Sequence, residues 1–291
     1  MPNESGDSRE PATLAPGDHA CWAFGGVDSW RDTVAAYLIA GRLAGERLLL
    51  LGTPQRTGQA LDALDALGMD SAGLRAEGAL VVADAEAAYL PGGAFDADAR
   101  IAVYERLVLA ALADGYTGLR VAADVPPALR EITASGSWPS YELRADLLAA
   151  RLPFTALCCY DRQWWAPDDV APIAAVHALA FGPEGAAGHC GFRLHSGPDG
   201  AIALDGELDM AGSELLGRLL RSASAEMSGG LLDVSGLRFV DIVGLRAVAD
   251  AAIALADLTS RPAVIRGASP AFVRLWHLLG LQEECRVKVA A

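Results

Sequence analysis

The chain has 291 residues, 52% of them hydrophobic and 21% charged, with a net charge of −14. That is a globular composition, long enough for two domains that each bury a core. An excess of 37 acidic over 23 basic side chains, with no Lys/Arg cluster, excludes unaided nucleic-acid binding, because neutralising phosphates takes grouped cations.

Residues 1–17 read as a loosely attached leader. The acidic, Pro- and Gly-rich start lacks the apolar core of a secretory signal, and the longest apolar runs, such as Leu48–Leu51, fall far short of the roughly 20 residues a bilayer span needs. A cytoplasmic protein without a membrane segment is expected. Five widely spread cysteines give no disulfide framework.

From residue 20 apolar strands alternate with amphipathic helices. ACWAF (20–24) reads as a strand and GGVDSW (25–30) as a turn in which Asp28 or Ser29 caps a helix over 31–43. RLLLLG (47–52) is a continuous apolar strand, the pattern expected when helices cover both faces. A helix over 58–67, a strand over 79–83, a helix over 97–114, a strand over 119–125, a helix over 138–151 and a strand over 154–161 follow. This alternation predicts βαβ units and a mostly parallel sheet. The Pro-, Gly- and Ala-rich stretch 164–191 breaks it. The domains are therefore placed at 18–170 and 192–291, with a linker over 171–191.

The second unit reads as a hairpin (192–195 and 201–209, joined by SGPDG), a helix over 212–226, a strand over 229–236, a helix over 244–258 and a strand over 263–267. A helix over 269–280, with Ser269 as cap and Pro270 in its first turn, and an edge strand over 285–289 complete it.

The segments ALDGELDM, LLDVSGLRFVDIVGLRAV and SPAFVRLWHLLGL resemble the STAS domain of sulfate transporters and anti-sigma-factor antagonists, a small α/β fold. In phosphorylated members of that family a Ser or Thr follows the Asp at the helix start, and a kinase-type anti-sigma factor binds this loop and phosphorylates it. Phosphate adds about −1.5 to −2 of charge, enough to release a partner. The matching positions here are Asp241, Ile242, Val243, Gly244 and Leu245. Neither Ile242 nor Val243 can take a phosphate, so no phosphorylation is expected. The resemblance implies a docking loop for an anti-sigma factor or kinase-like regulator, held in its unmodified state, because an apolar side chain mimics Ser better than phosphoserine. A packing or homodimerising module is the alternative. Asp241 reads as a helix N-cap and Ser235 as a structural loop residue.

The first unit resembles the MEDS domain, a sensory module named for methanogen and methylotroph proteins and a dichloromethane-responsive regulator. The resemblance rests on HACWAF, AGRLAGERLLLLG, LDALGMD, AEGALVVADAEAAYLPGGAFD, ADGYTGLRVAADV, YELRADLL and LCCYD, over about 18–165. MEDS domains in turn look like divergent RecA-type ATPase cores, which implies a RecA-like, P-loop-like parallel sheet. The turn FGGVDSWRDT (24–33) keeps two glycines but has no Gly-Lys-Ser/Thr, and TPQRTG (53–58) also lacks the Lys. A working Walker A is therefore missing and ATP hydrolysis is not expected.

In an open parallel sheet, ligands bind outside the carboxyl ends of the strands. That edge is expected to gather His19, Cys21, Trp22, Phe24, Asp124, Cys158, Cys159 and Tyr160 into an aromatic-lined apolar pocket for a small hydrophobic ligand. Arg120 and Glu142 also match the family pattern. A structural ion pair between them is the first reading, a ligand contact the second. His19, Cys21 and Cys158 or Cys159 could supply donors to Zn²⁺ or another soft metal or act as redox-sensing thiols, although the spacing is not that of a known zinc motif. The plainer reading makes them core residues, and no cofactor is assigned. Trp164 and Trp165 read as packing elements, and His177, His189 and His195 as surface residues.

The whole reads as a non-catalytic signalling protein in which a ligand-sensing unit acts on an interaction module. An enzyme using Cys21 or Cys158 as nucleophile, His19 as base and Asp124 or Glu142 to orient it, or a scaffold protein, are the alternatives.

Overall fold

The computed structural model describes residues 10–134, 136–183, 190–197, 200–223 and 230–290. The first unit runs β1 (His19–Phe24), α1 (Val27–Leu43), β2 (Arg47–Gly52), α2 (Pro54–Ala66), α3 (Ser71–Ala76), β3 (Leu80–Asp84) and α4 (Ala85–Tyr89). It continues through α5 (Ala97–Ala113), β4 (Leu119–Asp124), α6 (Arg130–Ala134), α7 (Ser137–Ala149), β5 (Phe154–Asp161), α8 (Pro167–Ala174) and β6 (Leu179–Phe181). The six strands form an all-parallel sheet in the order β3-β2-β4-β5-β1-β6. Helices cover both faces, so β5 is buried along its whole length, and an unbroken apolar run such as RLLLLG can be a strand.

Side chains alternate with period 2, which splits β1 between two cores. Trp22 and Phe24 pack with Trp30, Val34 and Leu38 of α1. Cys21 and Ala23 join Cys158, Tyr160 and the aromatic residues of α7 on the other face.

Capping sets several helix starts. Thr53, Asp96 and Ser269 each accept a backbone N–H three residues on, and Pro follows Thr53 and Ser269 at the first helical position. Helix α1 begins earlier than predicted, at Val27 after Gly26 (φ +88°), so neither Asp28 nor Ser29 caps it. Helices α3 and α4 went unpredicted because one and a half turns are too short to show a period.

The stretch read as a linker is structured through residue 181. Its first part completes α8, and β6 extends the first sheet beside β1. Part of the leader is ordered too: Leu14 is buried, and its carbonyl accepts from Arg120 Nη2 at 2.8 Å.

The second unit contains β7 (Phe192–Ser196), β8 (Ile202–Leu208), α9 (Met210–Ala223), β9 (Leu231–Asp233), β10 (Leu237–Val240), α10 (Ile242–Thr259), β11 (Ala263–Arg266), α11 (Pro270–Leu278) and β12 (Val287–Val289). Its sheet runs β10-β8-β9-β11-β12, with β7 antiparallel to β8 and the other pairings parallel.

Helix α7 joins the two units. Leu143 and Leu147 of α7, with Ala175 and Val176 after α8, belong to the same apolar core as Leu194, Leu204, Leu216 and Leu220. Among the described residues hydrogen bonds cross here too, including one from Arg193 Nη1 to the Ala178 carbonyl at 3.2 Å. Ser196 N–H donates to Asp146 Oδ2 at 2.5 Å, and Leu194 N–H donates to the Ala175 carbonyl at 2.6 Å.

Candidate functional site

Among the described residues, three places gather chemistry-bearing side chains. The first is a buried polar cluster between the sheet and α7. His19 begins β1, Cys158 lies in β5, and the register of these neighbouring strands pairs His19 with Ala156 and Cys21 with Cys158. Glu142 and Asp146, four apart, share one face of α7. His19 Nε2 lies 3.3 Å from Glu142 Oε2 and 3.4 Å from Cys158 Sγ. His177, read from sequence as a surface residue, is fully buried, with its ring centroid 4.1 Å from that of His19 and its Nε2 3.8 Å from Glu142 Oε2. Tyr160 donates to Glu142 Oε1 at 2.6 Å and accepts from Trp138 Nε1 at 3.0 Å.

Electrostatics differ sharply between the two imidazoles. Burial alone would lower the His19 pKa, but Asp146 and Glu142 outweigh it and raise it to about 9. At 3.8 Å, Asp146 acts on His19 Nδ1 as a charge more than as a hydrogen-bond acceptor. Burial and the charge of His19 lower His177 to about 4, so it is neutral. Burial opposes ionisation of Glu142, but His19, His177 and Tyr160 together hold its pKa below the usual range. The thiols go the other way. Burial and then Glu142 raise both Cys21 and Cys158, the reverse of the setting that activates a nucleophile.

The second place is a cleft of about 890 Å³ at the carboxyl edge of the first sheet. Thr53, Gln55, Arg56 and Gln59 from α2 and its cap line it, with Asp84 and Glu86 of the β3–α4 turn, Asp124, Asp161 and the apolar Val27, Leu90 and half-exposed Trp164. Arg56 rests 5.3 Å above the Phe24 ring, pairs with Asp161, and has Nε 3.7 Å from Asp124 Oδ2. Burial, reinforced by Asp161 and opposed by Arg56, raises the Asp124 carboxyl to about 7. Four carboxylates against one arginine make this a poor phosphate site.

The expected pocket is thus divided. Of its residues, only Asp124 lines the carboxyl-edge cleft. His19, Cys158, Tyr160 and Glu142 meet in the buried cluster, with Cys21 beside Cys158 in the same core. Trp22, Phe24 and Cys159 lie on the opposite face of the sheet. The cleft is also more polar than predicted, because the aromatic side chains of β1 are spent on packing. The predicted Arg120–Glu142 pair is corrected as well. Arg120 pairs with fully buried Glu46, which also accepts from Thr155 Oγ1 at 2.9 Å, and lies over the Tyr37 ring. Arg120 projects from β4 toward α1, where Gly41 leaves room for its side chain, whereas Glu142 lies across the sheet.

His195 is half-buried and paired with Asp205 at 2.9 Å, and His189 lies outside the described residues. Trp165 is buried, donating to the Val125 carbonyl at 3.3 Å. Glu46 and His177 were missed. Alternation along β4 sets the face on which Arg120 lies, but Glu46 sits between α1 and β2, 74 positions away, and no local signal joins the two. Nothing local marks His177, which is brought in by the return of the chain through α8.

The third place is the start of α10. Asp241 caps the helix, its Oδ1 accepting from Gly244 N–H at 2.7 Å. Gly244 is packed so closely on Leu208 that an added Cβ would lie 2.8 Å from that side chain, and Leu245 is fully buried. That leaves Ile242 (52% exposed) and Val243 (45%) facing outward beside Phe239 (52%). Val243 also borders a groove of about 450 Å³ between α9 and α10. Ser235 N–H donates to Asp233 Oδ1, consistent with a turn residue.

Among the described residues no helix is long and apolar enough to cross a membrane. A comparison with curated proteins gave no match. The family model for MEDS, the methanogen/methylotroph DcmR sensory domain, matches residues 18–178, and the model for the Mlab STAS domain matches residues 193–289. STAS domains generally mediate protein–protein interactions, and the pairing fits a regulatory or signalling role. The chain belongs to the MEDS family, with a MEDS sensory domain followed by a STAS domain.

Proposed function

We propose that this protein is a non-catalytic signalling protein whose MEDS domain adjusts a partner-docking surface on its STAS domain. The observation that carries this reading is the double duty of α7. One face of the helix holds Glu142 and Asp146 in the polar interior of the MEDS domain, and Leu143 and Leu147 lie in the STAS core. A change that moves α7 must repack both. Such coupling regulates only if the signal favours one arrangement of α7 over another.

The signal would enter at the carboxyl-edge cleft. Its lining suits a small molecule that is neutral or cationic at its hydrogen-bonding end, near Asp124 and Asp161, and apolar where it meets Val27, Leu90 and Trp164. The output would be the apolar surface of Phe239, Ile242 and Val243, offered to an anti-sigma factor or kinase-like regulator without a hydroxyl to switch it off.

The test is titration calorimetry of the full chain against a kinase-type anti-sigma factor from the same genome. Ile242→Glu should weaken binding at least tenfold, while Leu278→Glu, at an exposed site on α11, should not. Leu143→Ala should also change the affinity. Equal binding by all variants would refute the reading.

A further inference from the structure

The buried cluster between the sheet and α7 has the geometry of a metal centre. One donor atom from each of His19, Glu142, Cys158 and His177 lies within 4.8 Å of the other three, and all four residues are buried. The separations are 3.3 Å for His19 Nε2–Glu142 Oε2, 3.4 Å for Cys158 Sγ–His19 Nε2, 3.6 Å for Cys158 Sγ–Glu142 Oε2 and 3.8 Å for His177 Nε2–Glu142 Oε2. A tetrahedral Zn²⁺ with bonds of about 2.0–2.3 Å holds its donors about 3.3–3.8 Å apart. Four of the six edges already match, and the other two need only a small shift of His177.

The hydrogen bonds around the cluster point the same way. His177 Nδ1 lies 2.8 Å from the Ile173 carbonyl, which can only accept, so the ring proton sits on Nδ1. Its Nε2 therefore presents a lone pair, buried and without a hydrogen-bond partner, toward a carboxylate oxygen. Two acceptors facing each other in a dry interior are unfavourable, and a cation between them removes the conflict. Glu142 is oriented as ligating carboxylates usually are, its second oxygen accepting from Tyr160, itself fixed by Trp138. Asp146 lies 3.8 Å from His19 Nδ1, close enough to act as a charge but not as a hydrogen-bond acceptor.

We infer that His19, Glu142, Cys158 and His177 form a closed binding site for a borderline-soft divalent transition-metal ion, with Zn²⁺ the reference case. Two imidazoles, a thiolate and a carboxylate suit Zn²⁺ and Co²⁺ and disfavour Mg²⁺ and Ca²⁺. On binding, the thiol proton of Cys158 and any proton on His19 Nε2 leave as H⁺, and no redox change occurs. Four protein donors leave no open position, so the ion holds structure and does no chemistry. It would tie β1, β5, α7 and the segment after α8 to one point directly beneath the interdomain contact. Nothing in the docking reading requires the ion, so either can fail alone.

The test uses the full chain carrying Cys190→Ser and Cys285→Ser, which removes the two thiols that are not fully buried. After treatment with a chelator it is titrated with Co²⁺. The expected result is one equivalent bound, with the visible bands of four-coordinate cobalt and a thiolate-to-cobalt charge-transfer band, both removed by added Zn²⁺. Cys158→Ser should abolish the charge-transfer band, Cys21→Ser should keep it, and His177→Gln should weaken binding at least tenfold. Failure to bind either ion, or a charge-transfer band that survives Cys158→Ser, would overturn the inference. If the variants do not fold, the parent spectrum decides: absence of the thiolate band is enough to reject the site.

Discussion

The two domains place their polar chemistry in opposite locations. Among the described residues, every buried polar or charged side chain except Ser213 lies in the MEDS domain. His19, Glu142, Asp146 and His177 form one internal network, and Glu46, Arg120 and Thr155 another. Among the described residues the STAS core is aliphatic apart from Phe192, Phe272 and Trp276, and its notable feature is outside, in exposed Phe239, Ile242 and Val243. An apolar core tolerates substitution and leaves the surface free to specify a partner. A buried polar network demands that every member be satisfied and has a defined response when one is not. Here the MEDS domain carries the exacting interior and the STAS domain the forgiving one.

Breaking the interior networks should have the largest effects. Glu142→Ala removes the acceptor of Tyr160 and the counter-charge of His19, and should lower stability in urea unfolding by about 3–5 kcal/mol. Arg120→Met strands Glu46 and should cost a similar amount. The double change Arg120→Met with Glu46→Leu should recover most of it, because an apolar pair can replace a buried ion pair. No recovery would mean that Arg120 contributes mainly through the Leu14 carbonyl and the Tyr37 ring.

Leu143→Ala tests the junction. Leu143 is fully buried on α7 yet packed in the STAS core, so it should cost about 2–4 kcal/mol and loosen both domains in one calorimetric transition. Two separated transitions would show that the interface is weaker than its packing implies.

Asp124→Asn sharpens the contrast between cleft and core. The folded state raises this carboxyl to about 7 from 3.8, so folding favours the protonated form. Its contribution is full below about pH 4 and is lost as pH rises through 7. The Asn variant should match the parent at pH 4 and exceed it by about 1–3 kcal/mol at pH 8, read from denaturation midpoints at the two pH values. A constant difference would assign the effect to Arg56 pairing instead.

The smallest expected change in stability is for Ile242→Ser, at an exposed position, within about 0.5 kcal/mol. It restores a hydroxyl at the α10 N-terminus, where backbone N–H groups favour phosphate. A kinase-type anti-sigma factor should phosphorylate this variant and not the parent, as seen by intact mass.

The parts of this arrangement readable from sequence are those with local signals. LCCYD and RLLLLG are strands because continuous apolar runs of this length between helices fit a covered parallel sheet. Asp241 was legible as a cap from its place before a helical pattern. The carboxyl-edge cleft was legible in location but not in chemistry, since alternation along β1 turns Trp22 and Phe24 into packing and leaves Arg56 and the acidic loop ends to line the space. The partners of Arg120 and His19 depend on which helix crosses which strand. Glu46 and His177 are 74 and 158 positions away from them, and a single sequence carries no signal over such separations.

We propose that α7 transmits the state of the MEDS interior to the STAS domain. Native-state hydrogen exchange on the full chain, parent against Glu142→Gln, tests it most directly. Faster exchange is expected in α7 and also at Leu194 and Ser196, whose amides bond to Ala175 and Asp146, and onward into α9. Faster exchange confined to residues before 182, with the STAS domain unchanged, would contradict it.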